Sequence, residues 1–74
     1  MTDETPPVVD RLNVVLIAPA AQALADLQAR TGLKKVDIAN RALQIYEFVD
    51  AEMRAGKTLA VIDEDGTVQR VKIL

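Results

Sequence analysis

The first pattern along the chain is a short alternation of polar and apolar side chains over residues 11–16. A strand period of two puts an aliphatic set on one face, which consists of Leu12, Val14 and Leu16. The opposite face consists of Arg11, Asn13 and Val15. A strand this short needs a hydrogen-bonded partner, and the first half of the chain holds no second strand pattern. We expect the same strand of a second copy to supply that partner.

Two helical patterns follow, separated by Gly32. The first should begin near Ala18, with Pro19 in a first turn where its missing N–H costs nothing. Gly32 should end it, because glycine enters the left-handed conformation at little cost. The apolar stripe of this helix consists of Ala20, Ala23, Leu24 and Leu27.

The second helical pattern runs from about Lys35 to Ala55, with Gly56 as its stop signal. Its apolar row consists of Ile38, Ala42, Ile45, Val49 and Met53. The side chains that widen the row are those of Ala39, Leu43 and Tyr46. Twenty residues give a helix of about 30 Å, and its stripe exceeds what the first helix can cover. The excess predicts a dimer.

The C-terminal part of the chain predicts a β-hairpin. Residues 58–62 and 68–73 are strand-like, and the run Asp63-Glu64-Asp65-Gly66 supplies the turn. The predicted order is therefore β-α-α-β-β. We divide the chain into a disordered N-terminal arm over residues 1–9, a central domain over 10–56 and a hairpin over 57–74.

Composition favours association and excludes several kinds of chemistry. A chain of 74 residues buries only about 60% of its surface and usually needs a staple. It has no Cys and no His, which removes disulfides and the usual zinc ligand sets and leaves a second subunit as the staple. No catalytic triad, HExxH or P-loop pattern occurs. We expect no enzyme activity and no cofactor, and we interpret the acidic turn as solvated.

Location and charge refine this picture. No apolar run approaches the roughly 20 residues that span a bilayer, and the acidic start is unlike a secretion signal, so we expect a cytoplasmic protein with no membrane partner. The formal net charge is −2. It is uneven: residues 8–41 carry five basic and three acidic side chains, whereas residues 42–74 carry four basic and six acidic ones. A binding face depends on its local charge.

These features suit double-stranded DNA. A two-stranded ribbon fits the major groove, where Arg pairs with guanine and Asn with adenine. Two copies of residues 11–16 would present Arg11 and Asn13 twice, while Val15 would touch a thymine methyl or simply fill the strand. Lys34 and Lys35 precede the second helix, whose free N–H groups and dipole suit a phosphate. Phosphate contacts would set position while the ribbon reads sequence.

The pattern resembles the ribbon-helix-helix family of bacterial and phage repressors over about residues 10–50. The resemblance is carried by residues 11–16, by 23–32 ending in Arg-Thr-Gly, and by 38–43. It implies a mainly α fold with short β, in which two chains form an intertwined homodimer, here with a C-terminal hairpin added. It also implies a transcriptional repressor. The implied base-contacting residues are Arg11, Asn13 and Val15, and the implied phosphate-contacting residues are Lys34 and Lys35.

A second function stays open. The acidic C-terminal half suits a protein-interaction module that keeps the dimer fold with weak or no DNA binding, such as an antitoxin or a phage protein acting on a host factor. The hairpin has two interpretations in this scheme. It either covers the excess apolar stripe of the second helix or presents a surface to a protein partner.

Overall fold

The computed structural model describes residues 7–72. These residues form two helices, α1 (Ala18–Thr31) and α2 (Lys35–Arg54), and two strands, β1 (Ala60–Ile62) and β2 (Val68–Arg70). The chain is thus a small mixed α/β protein, and the two helices and the hairpin predicted from the sequence are confirmed. Most of the predicted N-terminal arm, and the last residue of the predicted second strand, lie outside the described residues.

Local signals explain both ends of α1. Its N-terminal cap, Ile17, is extended and offers no side-chain oxygen, and Pro19 lies in the first turn. Gly32 follows the last turn with a φ of 70°, and its N–H donates to the carbonyl oxygen of Gln28 at 2.9 Å. This single bond to the third-last helical carbonyl is the left-handed type of helix end.

The helix pair buries very little. Within residues 7–72 only Ile38 is buried, with 7% of its surface exposed. The half-buried apolar side chains of the helices and their link are Ala20, Leu24, Leu33, Val49 and Met53. The rest of the apolar row of α2 is open, since Ile45 keeps 63% of its surface exposed. One helix therefore covers only part of the other, as the length of the stripe predicts.

The end of α2 is a complete Schellman motif. The N–H of Gly56 donates to the Met53 carbonyl at 3.0 Å, and the N–H of Lys57 donates to the Glu52 carbonyl at 3.1 Å. Gly56 has a φ of 88°, a conformation that glycine adopts without a Cβ penalty. The Lys57 ammonium also forms an ion pair with Glu52. The direction in which the chain leaves α2 is thereby set.

The hairpin is antiparallel and shorter than the sequence suggests. Val61 pairs with Gln69, and the neighbouring pairs are Ala60–Arg70 and Ile62–Val68. The turn closes with the Asp63 N–H donating to the Thr67 carbonyl at 2.8 Å. The Asp65 carboxylate accepts the Thr67 N–H at 2.9 Å. That bond, helped by the Thr67 hydroxyl, lowers the pKa of Asp65.

The predicted N-terminal strand is absent from the single chain. Residues 11–16 have no strand assignment and make no backbone–backbone hydrogen bond. The order in one copy is α-α-β-β, so the predicted order β-α-α-β-β is wrong for the isolated chain. The physical reason is that a strand exists only against a hydrogen-bonded partner, and nothing else in residues 7–72 pairs with this stretch. Pairing with a second copy stays a prediction.

The hairpin also stands apart from the helices. No Cα atom of β1 or β2 lies within 8 Å of a Cα atom of α1 or α2. In the isolated chain the hairpin therefore does not cover the apolar stripe of α2, and that interpretation fails for one copy.

Candidate nucleic-acid interface

The stretch before α1 presents its two faces unequally. Val15, on the predicted outward face, keeps 95% of its surface exposed, whereas Val14 on the inward face keeps 54%. Arg11 and Asn13 are also exposed. The Arg11 N–H donates to the Asp10 carboxylate at 2.8 Å, which leaves the guanidinium outside that bond. The predicted base-contacting residues are therefore all accessible to a partner.

The outward face extends one position beyond the prediction. Val9 is 90% exposed and belongs by its period of two to the same set as Arg11, Asn13 and Val15. Sequence reasoning assigned it to the arm because no polar side chain marks it. The only signal available was the alternation itself, continued backwards from Arg11.

The start of α2 forms the second part of the candidate interface. Lys34 is the N-terminal cap, with an extended backbone and no side-chain cap hydrogen bond. Its carbonyl accepts the N–H groups of Asp37 and Ile38, each at 3.1 Å. Lys34 and Lys35 are both exposed at the positive end of a 20-residue helix. This arrangement can bind an anion, although Asp37 in the same turn offsets part of the positive charge.

The two parts lie on different segments of the chain. No hydrogen bond or ion pair in residues 7–72 joins the stretch 11–16 to Lys34 or Lys35. One part precedes α1 and the other begins α2, so a single copy offers half of a ribbon and one phosphate-binding helix end. The arrangement becomes a two-stranded reader only when a second stretch pairs with the first.

Charge is distributed in a way that favours the same end of the molecule. Near the end of α2, the Arg54 Nε donates to the Asp50 carboxylate at 2.8 Å, and this hydrogen bond raises the pKa of Arg54. Lys57 is paired with Glu52. By contrast, Arg11, Lys34 and Lys35 make no ion pair within the described part of the chain. The cations that remain available to an anionic partner include those of the candidate interface.

Other kinds of site find little support in the described residues. Between residues 7 and 72 no group of three or more acidic, His or Cys side chains is placed to hold a metal ion. No helix in the same range is both long and apolar enough to cross a membrane.

Comparisons with protein-family models, with curated proteins and with solved structures found no match for this chain. The chemistry and exposure of its own residues are therefore the basis for assigning a function.

Proposed function

We propose that the protein is a homodimeric ribbon-helix-helix regulator that binds DNA through the major groove and represses transcription. One observation carries the proposal. The stretch 11–16 is extended, makes no backbone–backbone hydrogen bond in its own chain, and exposes Arg11 and Asn13 beside apolar residues. A second copy would satisfy the backbone and complete the reading surface in one step.

The surface of the isolated chain supports the dimer. It exposes 7307 Å², whereas a monomeric globular protein of 8.1 kDa is expected to expose about 4,500 Å². The radius of gyration is 15.5 Å, against about 11 Å for a compact chain of 74 residues. The open N-terminal stretch accounts for part of the excess. The remainder includes apolar side chains of α2 that a shared core would bury, among them Leu43, Ile45 and Tyr46.

The division of labour follows from the residue types. In the paired ribbon, Arg11 and Asn13 of both copies would face base edges, and Val15 would contact a thymine methyl. Lys34 and Lys35 would neutralise phosphates at the start of α2, where the helix N-terminus favours negative charge. The lysines set affinity and salt dependence, while the ribbon sets sequence preference.

The test is a mobility-shift titration of the purified protein on fragments of its neighbouring promoter, at low and at physiological salt. Each base contact is worth about 1–3 kcal/mol, so Arg11→Ala/Asn13→Ala should lose the preference for one fragment. Lys34→Ala/Lys35→Ala should weaken binding to all fragments alike and reduce the salt slope by about one per lysine. Arg54→Ala is the matched control, since that arginine is paired with Asp50 far from the interface.

Two results would count against the proposal. Failure to retain any DNA at low salt would overturn DNA binding as the function. Equal binding and equal preference by wild type and the Arg11→Ala/Asn13→Ala variant would remove the ribbon from the mechanism.

The separation of the hairpin from the helices favours one alternative, a protein-interaction module of the same fold. Here the hairpin would bind a protein, and DNA binding would be weak or lost. A pull-down that captures one specific protein with the full chain, but not after deletion of residues 57–74, supports this alternative. Loss of that capture in an Arg11→Ala/Asn13→Ala variant would contradict it.

A further inference from the structure

Phe48 is an aromatic side chain that the shared core does not explain. It keeps 61% of its surface exposed. With 3.6 residues per turn, it lies about 100° around α2 from its neighbour Val49, which belongs to the apolar row. It also lies on the opposite side of that row from Leu43 and Tyr46, which widen it. A second copy packed against the row and its widening residues would leave Phe48 at the edge of the interface.

The hairpin supplies an apolar face of suitable size. Its pairing register puts Val61 and Gln69 on one face. Leu59 and Val71 flank them on that face, joined by a 2.9 Å bond from the Val71 N–H to the Leu59 carbonyl. The other face carries Arg70, whose charge belongs in water. A two-stranded hairpin is marginally stable by itself, so the Val61 face needs a covering surface.

The same chain does not provide that surface. The hairpin would have to fold back along α2 to reach its own Phe48. The Schellman motif at Gly56 and the Lys57–Glu52 ion pair hold the exit in a different direction, and the strands stay more than 8 Å from both helices between Cα atoms.

We propose that the hairpin is an exchanged arm whose Val61 face packs on Phe48 of α2 in the second copy. The exchange rests on the homodimer of the proposed function. Two-fold symmetry makes each copy both donor and acceptor, so one contact is formed twice and covers both hairpins and both phenylalanines. The large excess of exposed surface in the isolated chain fits a second copy that contacts more than the ribbon and the helix row.

Because the natural chain has no cysteine, introduced cysteines can be cross-linked at single sites. A tagged Phe48→Cys chain and an untagged Val61→Cys chain are unfolded together, refolded and treated with a short bismaleimide. The mixed pair should give a product of two-chain mass in several-fold higher yield than Phe48→Cys with Ile62→Cys. Ile62 is the matched control, because it is exposed on the opposite face of the hairpin.

Equal yields from the two mixtures would overturn the exchanged arm. A linkage within one chain in the Phe48→Cys/Val61→Cys double variant would overturn it as well. Sedimentation of the same untreated samples separates the two proposals. Dimers without the selective cross-link contradict the arm alone and leave the hairpin open to a different protein, whereas monomers contradict the homodimer on which both depend.

Discussion

At the scale of a residue, Thr31 shows how one side chain organises the link between the helices. Its hydroxyl donates to the Leu27 carbonyl at 2.6 Å and accepts the Leu33 N–H at 3.2 Å. Thr31→Val keeps the shape of the side chain and removes both bonds. We expect the free energy of unfolding to fall by about 0.5–1.5 kcal/mol, the usual worth of such a bond, measured by urea denaturation.

The control for this change is Thr58→Val, whose hydroxyl makes no side-chain hydrogen bond within the described residues. It should leave the urea midpoint nearly unchanged. If both valine variants unfold at the midpoint of the wild type, the Thr31 hydroxyl does not stabilise the link.

At the scale of an element, Gly56 decides where the hairpin goes. Its φ of 88° is a conformation that residues with a Cβ rarely adopt. Gly56→Ala should cost on the order of 1–2 kcal/mol and lower the urea midpoint. Gly56→Asn should cost less, because Asn tolerates the left-handed region. Equal midpoints for the two variants would show that the Schellman geometry at this position is not required.

The elements also show which information is local. Pro19, Gly32 and Gly56 place the helix ends, and the Asp65-Gly66 pair places the turn, because each acts through its own backbone. The state of residues 11–16 could not be read in the same way, since their hydrogen-bonding partner is not in the chain. Periodicity likewise gives the face of a strand but not the direction in which it leaves a helix.

The candidate interface divides along the same line. The exposure of Arg11, Asn13, Lys34 and Lys35 follows from polarity and position, and the structure agrees. Their assembly into one surface depends on a second copy, which no pattern within a single sequence describes.

At the scale of the whole molecule, the dimer predicts a difference between two neighbouring valines. Val14→Asp should unfold the protein, because a shared core would bury an unpaired charge. Val15→Asp should leave it folded, since Val15 is 95% exposed and faces outward. Circular dichroism at several protein concentrations measures both, and the wild-type midpoint should rise with concentration.

A folded, soluble monomer from Val14→Asp would contradict the shared core. A wild-type midpoint that is independent of concentration would do the same, unless sedimentation shows dimers at every concentration used.

The open stretch 11–16 also has a consequence for turnover. An extended backbone without hydrogen bonds is the form in which proteases bind their substrates, and a lone chain offers it over the whole stretch. Pairing into a ribbon would hide it. Degradation would then remove single chains and spare pairs, so the amount of the protein would fall more steeply than its rate of synthesis. A cell could clear such a regulator quickly once its expression stops.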